Sequence, residues 1–549
     1  MKQMMNVMVP MRDGVRLSCD IRLPDGPGPF PAALVRNPYN KAVPATDPVL
    51  RDYLAGGYAH VVQDVRGKHE SEGVYRPFAQ EAEDGHDTVM WVAGRPWCNG
   101  DVVMTGGSYC SWTQLAAARE APEPLRAVAP SFMGSDPYRD IMFSGGVPVL
   151  PMAWWAILNS GRSQREEVCD NWPRAFGTLP LCRLDETVGC PAPALHEWLD
   201  HPARDAYWRA MSVEPRYGAV RAAMLLVGGW YDPFCPGMVR AYCGMAAAGR
   251  DAGRDDVRLR IGPWGHDMAP GRTLEGIDFG PSSVRDIRGM HRAFFDAALG
   301  RAAIPDDLRA PVEVFVMGRN QWRQADRWPP AGTQATAWHL GGGGAANSLF
   351  GNGALLPGAG DDADRDQFTF NPQAPVPAIG GAHLLQDRPL GPHDQRPAER
   401  RDDVLCYTGE PLAAPVEIIG PVRAELHVSS SAPDTDFVSR LCDVHPDGRS
   451  IILCDGVLRT RFREGLDREV LMTPGEVYRL EIDMGATAHA FLPGHRIRVE
   501  ITSSCFPKWA PNPNTGGDAA REESAVVARQ TVYHSARYPS NVTLPVQPA

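Results

Sequence analysis

Several patterns that mark whole classes of protein are missing from this sequence. It has no apolar run of about 18 residues, so we expect no membrane span. Its first residues lack the apolar core and small-residue cleavage site of a secretory signal. Basic residues are not clustered, and the formal net charge is -11. Binding to nucleic acid normally needs a basic surface, so nucleic acid is not expected as a partner. A membrane is not expected either, because the sequence has no long apolar run.

Motifs for metals and phosphates are also missing. The sequence contains no Cys-x-x-Cys and no His-Glu-x-x-His spacing, the usual signs of a zinc site. The glycine run 341–344 is followed by Ala-Ala-Asn, whereas a phosphate-binding loop continues with Gly-Lys-Ser/Thr. We therefore predict a protein with no cofactor and no metal site, whose activity does not respond to chelators.

The composition describes an ordinary globular protein. Of 549 residues, 43% are hydrophobic and 22% are charged, and the length predicts about two to four domains. The twelve cysteines are scattered, mostly in apolar segments. This distribution indicates free, buried thiols in a reducing compartment, and hence a cytoplasmic protein.

Strand and helix patterns divide the chain into segments. Short apolar strands alternate with helical periodicity in residues 1–135 and again in residues 214–330, which is typical of a doubly wound, mostly parallel sheet. Residues 136–213 carry helical patterns without a convincing strand, as expected of a helical cap inserted into that sheet domain. Residues 331–549 consist of short alternating strands separated by Gly, Pro and Asp turns, which predicts an all-β jelly roll.

One stretch, residues 101–119, combines an apolar strand, two glycines, Ser108 and an alanine-rich helical segment. This order is typical of the nucleophile elbow of an α/β-hydrolase, where a strained turn exposes the serine hydroxyl. Gly106 keeps the turn free of bulk. Cys110 occupies the position two residues after the serine, where glycine is usual.

Two further polar residues follow predicted strands. Asp232 comes after the strand at 222–229, and His266 after the strand at 257–263. Catalytic groups of open α/β sheets collect at the carboxyl ends of strands, and Ser-Asp-His is the chain order of α/β-hydrolases. Imidazole activates a serine hydroxyl, and a buried carboxylate orients the imidazole. We predict that Ser108, Asp232 and His266 form a catalytic triad.

The chain resembles the bacterial cocaine esterase family of serine hydrolases, which includes X-prolyl dipeptidyl peptidases and α-amino acid ester hydrolases. The matching stretches run through nearly the whole sequence: 36–39, 63–67, 71–73, 106–109, 229–232, 262–266, 402–407, 434–437 and 492–495. The resemblance implies an α/β-hydrolase domain, a helical cap, a C-terminal jelly roll and a homodimer.

The resemblance also implies roles for individual residues. The family builds its oxyanion hole from a tyrosine hydroxyl and the backbone N–H after the serine, which correspond to Tyr39 and Tyr109. Ser111 replaces a glycine that the family usually carries, and we expect the elbow to tolerate it. By the same resemblance, Phe234, a cap tryptophan (Trp155 or its neighbour Trp154) and Leu405 would line the acyl pocket.

The segment after Asp232, residues 233–237, is apolar and uncharged, whereas α-amino acid ester hydrolases carry acidic residues there. We therefore predict a serine carboxylesterase for small-molecule esters with an uncharged aromatic or medium aliphatic acyl group. Two alternatives stay open. One is an acylase, an α-amino acid ester hydrolase or an X-Pro dipeptidyl peptidase with the same triad, and the other is a non-catalytic binding protein that uses its jelly roll.

Charged residues after the predicted strand at 57–63 need a separate interpretation. Glu70, Glu72, Glu81, Glu83 and Asp84 lie close together, and the pattern favours a solvated acidic face. Arg66 follows the strand end and is expected to form a structural ion pair with a carboxylate.

Overall fold

The computed structural model describes residues 2–42, 47–165, 168–359, 365–385 and 388–548. The first part of the chain alternates strands and helices. These elements are β1 (Lys2–Pro10), β2 (Arg16–Leu23), β3 (Phe30–Asn37), α1 (Pro48–Ala55), β4 (Ala59–Asp64), α2 (Glu81–Ala93), β5 (Cys98–Gly107), α3 (Tyr109–Arg119) and β6 (Leu125–Ser131).

A largely helical segment follows, over the described residues 132–165 and 168–222. The only strands in those residues are two short ones of two residues each, which pair as a hairpin. The elements of the segment are β7 (Phe143–Ser144), β8 (Val147–Pro148), α4 (Leu150–Leu158), α5 (Trp172–Ala175), α6 (Leu184–Thr187), α7 (Pro193–Leu199) and α8 (Ala206–Met211). This insertion is the helical cap that the sequence predicts.

The chain then returns to the first sheet. The elements are β9 (Ala223–Gly229), α9 (Cys235–Asp251), β10 (Val257–Gly262), β11 (Thr273–Leu274), β12 (Ile277–Asp278), α10 (Ile287–Ala298), α11 (Asp306–Arg309), β13 (Val312–Val316) and β14 (Gln321–Ala325). The edge strand β14 was not predicted from the sequence, because its alternating polar residues carry no continuous apolar run.

The ten strands of this sheet lie in the order β1-β2-β4-β3-β5-β6-β9-β10-β13-β14. The seven strands from β4 to β13 are parallel, and β1, β2 and β14 pair antiparallel at the two ends. Strands such as β4 and β13 are buried along their whole length because helices cover both faces of the sheet. The predicted doubly wound α/β-hydrolase sheet is confirmed, and β5, β9 and β10 end at the same edge.

The C-terminal part is an all-β domain with one short α-helix and one 3-10 turn, Thr460–Phe462, in its described residues. Its elements are β15 (Gln334–Gly341), β16 (Ala354–Leu356), β17 (Arg365–Phe370), α12 (Arg396–Glu399), β18 (Leu405–Thr408), β19 (Val416–Ser430), β20 (Asp436–Val444), β21 (Ser450–Arg459), β22 (Tyr478–Phe491), β23 (Arg496–Thr502), β24 (Ala528–Tyr533) and β25 (Asn541–Val546). Eleven strands form one hydrogen-bonded network, which encloses its own apolar core.

The two β-containing domains contact each other directly. Beyond the end of β13, the Met317 N–H donates to the carbonyl of Ala488, and the Ala490 N–H donates to the carbonyl of Met317, at 3.0 and 2.8 Å. The C-terminal domain is therefore joined to the hydrolase sheet by backbone hydrogen bonds.

Within the described ranges, no helix is long and apolar enough to cross a membrane. All twelve cysteines are free thiols, as predicted.

The acidic stretch is not the solvated face that its composition favours. Glu81 and Asp84 are buried, at 3% and 2% exposure. Arg36 lies 2.8 Å from the Glu81 carboxylate, and Arg66 lies 2.6 Å from that of Asp84. The interpretation was wrong for these two residues because buried guanidinium groups compensate their charge, a pairing between distant parts of the chain. The structural ion pair expected of Arg66 is confirmed.

Candidate active site

The turn between β5 and α3 carries Ser108 in a strained backbone conformation. Its φ is 58° and its ψ is -129°, a region that residues other than glycine rarely adopt. Gly106 has a φ of 122°, and a Cβ added there would lie 2.5 Å from the Cβ of Cys110. Only glycine therefore fits at position 106, and the turn projects the serine from the sheet edge.

The two departures from the usual elbow sequence are accommodated in different ways. Cys110 fills the space left by Gly106, and burial raises the pKa of its thiol to about 12, so it is unreactive at neutral pH. The Ser111 hydroxyl is buried 2.9 Å from the carbonyl oxygen of Gly106 and 2.7 Å from that of Ser131. It also accepts a hydrogen bond from the Ser131 N–H at 2.6 Å. The polar side chain thus joins β5 and β6 at the place where a glycine would leave space.

The loops after β9 and β10 bring a carboxylate and an imidazole together. Oδ2 of Asp232 lies 2.5 Å from Nδ1 of His266, and Asp232 is fully buried. The Phe234 N–H donates to Oδ1 of Asp232 at 2.7 Å, which fixes the carboxylate. Phe132 and Phe234 contact the imidazole edge to face, at centroid distances of 5.8 and 5.4 Å. A carboxylate at Nδ1 leaves Nε2 free to accept a proton.

Tyr39 lies in the loop after β3. The side chain of Asn37 accepts from the N–H groups of Tyr39 and Asn40 at 2.8 and 3.0 Å, which fixes the loop. The Tyr39 hydroxyl accepts from the indole N–H of Trp155 at 3.2 Å. Burial raises the pKa of the Tyr39 phenol well above its usual value, while hydrogen bonds with Trp155 and Ser108 partly oppose the rise. The hydroxyl is therefore protonated and lies beside Ser108, with its own proton available to donate.

Tyr109 is the first residue of α3, so its backbone N–H has no acceptor inside the helix. Its side chain is bound elsewhere. The phenol donates to Glu81 at 2.8 Å and accepts from the Phe78 N–H at 3.0 Å, and its ring stacks on Trp155 at 5.6 Å. Only the backbone of Tyr109 is therefore free to contribute to chemistry at Ser108.

A cavity of about 330 Å³ lies beside this cluster, where the hydrolase domain, the cap and the C-terminal domain meet. Asp232 and Phe234 line it from the hydrolase domain, and Met152 from the cap. Its described lining does not include Ser108, His266 or Tyr39. Trp154 lines a second, smaller cavity between the cap and the C-terminal domain and packs on Trp172, whereas Trp155 contacts Tyr39 and Tyr109.

The C-terminal domain lines these cavities with Leu384 and Leu385, which the sequence did not single out, and not with the predicted Leu405. Leu405 is fully buried in the core of the C-terminal β domain, in β18 opposite Ile501, and is not among the described residues that line either cavity. Leu384 lines both cavities, and Leu385 lines the smaller one. The apolar pair lies in a loop without strand or helix periodicity, so no sequence pattern marks it.

Comparisons with known proteins give the family. Residues 13–267 match the X-Pro dipeptidyl-peptidase (S15 family), and residues 307–543 match the X-Pro dipeptidyl-peptidase C-terminal non-catalytic domain. The chain is 39% identical to the cocaine esterase of Rhodococcus sp. (strain MB1 Bresler), over 98% of both chains. It is 28% identical to a putative serine esterase of Mycobacterium bovis, over 98% of this chain and 94% of the relative.

Among solved structures, an α-amino acid ester hydrolase superposes with a TM-score of 0.86 at 26% identity. The match covers 100% of this chain and 96% of that one. The chain therefore belongs to the S15 family of hydrolases, which joins X-Pro dipeptidyl-peptidases with cocaine-esterase-like serine esterases.

Proposed function

We propose that this protein is a serine carboxylesterase that forms an acyl-enzyme on Ser108. The observation that carries the proposal is the 2.5 Å contact between Asp232 and His266 at the same sheet edge as the strained Ser108. The family relation supports the same reaction, since the relatives include a cocaine esterase and a putative serine esterase.

Each group has a defined task in the proposed mechanism. Nε2 of His266 accepts the proton of Ser108 as its hydroxyl oxygen attacks the ester carbonyl, and Asp232 stabilises the imidazolium. The Tyr39 hydroxyl and the Tyr109 N–H donate to the oxyanion that forms. The imidazolium then protonates the departing alkoxide, which leaves an acyl group on Ser108. Water, activated by the same imidazole, hydrolyses this acyl-enzyme and regenerates the serine.

We assign the cavity beside Asp232 to the acyl group because Asp232 and Phe234 line it, although Ser108 and His266 are not among its described lining residues. Its charged groups then support a preference for uncharged acyl groups. Four further carboxylates line it, and each faces a cation: Asp140 and Asp483 contact Arg240, Asp455 contacts Lys508, and Glu481 contacts Arg423. Each carboxylate that a substrate ammonium could approach there already has a cationic partner, and Asp140 and Asp483 share Arg240. Burying an unpaired ammonium costs several kcal/mol, so the cavity disfavours α-amino acyl groups.

A pair of esters tests this preference. We expect kcat/KM for a phenylacetyl ester to exceed that for the matching phenylglycyl ester by about 100-fold or more, because a cost of 1.4 kcal/mol corresponds to a factor of ten. The mandelyl ester is the control, since it adds a hydroxyl at the same carbon without a charge. A preference for the phenylglycyl ester would contradict the pocket assignment and favour an α-amino acid ester hydrolase. Absence of turnover with every ester would favour the binding-protein alternative.

The organisation of the chain is also part of the proposal. We divide it at 135/136, 213/214 and 330/331, and interpret the C-terminal β domain as a jelly roll.

The protein acts in the cytoplasm, where its twelve free thiols are stable, and it forms a homodimer by analogy with its family. Light scattering should give about twice the chain mass of 59.9 kDa, and the mass of a single chain would contradict the dimer.

A further inference from the structure

Three histidines surround one buried carboxylate at the end of the C-terminal β domain. Asp443 is the second-last residue of β20, and His445 follows in the turn to β21. His489 lies near the end of β22, and His495 lies in the turn that connects β22 to β23. Because β20 and β23 are antiparallel, with Val444 opposite Arg496, their turns bring His445 and His495 to the same side of Asp443.

The distances in this cluster are short. Nδ1 of His495 lies 2.8 and 3.0 Å from the two carboxylate oxygens of Asp443, and Nε2 of His489 lies 3.0 Å from Oδ2. Nε2 of His445 lies 3.7 Å from the same oxygen. One ligand atom from each of Asp443, His445 and His495 lies within 4.8 Å of those of the other two.

We propose that Asp443, His445 and His495 bind a Zn²⁺ ion, with the fourth position open to water. Zinc bound to two imidazole nitrogens and one carboxylate oxygen at about 2.0–2.2 Å holds its ligand atoms about 3.4 Å apart in a tetrahedron. The observed separations lie on both sides of that value, so small side-chain rotations produce the site. His445 is too far from Asp443 for a hydrogen bond, and an ion between them accounts for its position.

Burial of the cluster fits this assignment. Asp443 is 3% exposed, whereas the side chain of His445 is 26% exposed, which leaves a path for an ion from solvent. The imidazole rings of His445 and His495 lie 4.5 Å apart.

His489 has a supporting role in the proposed site. Its Nε2–H donates to Asp443, and metal-bound carboxylates usually have such an outer partner. Its neighbours Ala488 and Ala490 form the backbone hydrogen bonds with Met317 that join the two domains. The ion would therefore stabilise the contact between the C-terminal domain and the hydrolase sheet. It takes no part in ester hydrolysis.

Metal binding to the full-length, untagged chain tests the proposal. After treatment with EDTA and its removal, titration with ZnCl₂ should give one tight site per chain, and zinc should raise the Tm. Addition of CoCl₂ should give the visible absorption bands of a four-coordinate ion. Esterase kcat at 25 °C should be the same with and without the metal, which separates this site from the catalytic proposal.

The variants separate metal ligands from ordinary histidines. His445→Gln should weaken zinc binding by at least about 100-fold, and His489→Asn by about 10–100-fold, the scale for an outer partner. The control is His534→Asn, because His534 forms a buried pair with Asp366 at 2.9 Å in the same domain. It should bind zinc like the wild type. The proposal is overturned if the wild type binds less than half an equivalent of zinc, or if His445→Gln weakens binding by less than tenfold.

Discussion

The Ser108→Ala variant should lose about 10⁶-fold in kcat and keep its fold. The magnitude is that of removing the nucleophile from a triad, where the remaining groups cannot form the covalent intermediate. Alanine keeps the Cβ of serine, so the strained turn with its φ of 58° changes little. Hydrolysis of a p-nitrophenyl acyl ester measures the rate, and circular dichroism checks the fold.

The control for this variant is Cys110→Ser. Cys110 is a second potential nucleophile only two residues away, but its thiol is buried and its pKa is about 12. We expect Cys110→Ser to keep most of the esterase activity. If Ser108→Ala retained more than a few per cent of the activity while Cys110→Ser lost it, Ser108 would not be the nucleophile.

The Tyr39→Phe variant should lose about 10²–10³-fold in kcat with little change in KM. The substitution removes only the hydroxyl that we assign to the oxyanion, and loss of one such donor has this cost. The ring and its surroundings stay in place, including Trp155, whose indole N–H loses its acceptor. Steady-state kinetics with one ester at several concentrations separates kcat from KM.

A buried tyrosine outside the site provides the comparison. The Tyr58 hydroxyl donates to Asp296 at 2.8 Å, so Tyr58→Phe also removes a hydrogen-bonded hydroxyl. It should lower stability without lowering kcat. An increase in KM for Tyr39→Phe at unchanged kcat would make Tyr39 a binding residue, because the interaction would then be equally strong in the ground state and the transition state.

The sequence predicts the sheet and the relation between Ser108, Asp232 and His266 because these features depend on local order. Each residue follows an apolar strand, and parallel strands place their carboxyl ends at one edge. The contact of 2.5 Å between Asp232 and His266 is then a consequence of topology. Local order does not predict the role of Ser111, because the hydrogen bond from its hydroxyl to the Ser131 carbonyl depends on the exact distance between β5 and β6.

Features that depend on pairing between distant residues could not be predicted. Glu81 and Asp84 are buried because Arg36 and Arg66 approach them, and no local pattern distinguishes them from solvated acids. Leu405 is apolar and lies within the matching stretch 402–407, yet it packs in the core of the C-terminal domain. The histidines around Asp443 lie up to 52 positions from it along the chain, so they match no metal-binding spacing.

The cap and the C-terminal domain complete the site from a distance. Trp155 of α4 supplies the indole that binds Tyr39, and Leu384 reaches the cavity from the C-terminal domain. Helical periodicity predicts α4 and its buried side, but it does not show which tryptophan contacts Tyr39. The position of a helix relative to the sheet is set by tertiary packing, which periodicity alone does not contain.

Labelling with a fluorophosphonate tests most directly that Ser108 is an activated nucleophile. The reagent forms a covalent bond with a serine only when a neighbouring base removes its proton. Intact-mass spectrometry of the wild type should show one adduct per chain, peptide mapping should place it on Ser108, and Ser108→Ala should stay unlabelled. An adduct on a different residue, or equal labelling of Ser108→Ala, would contradict the proposed mechanism.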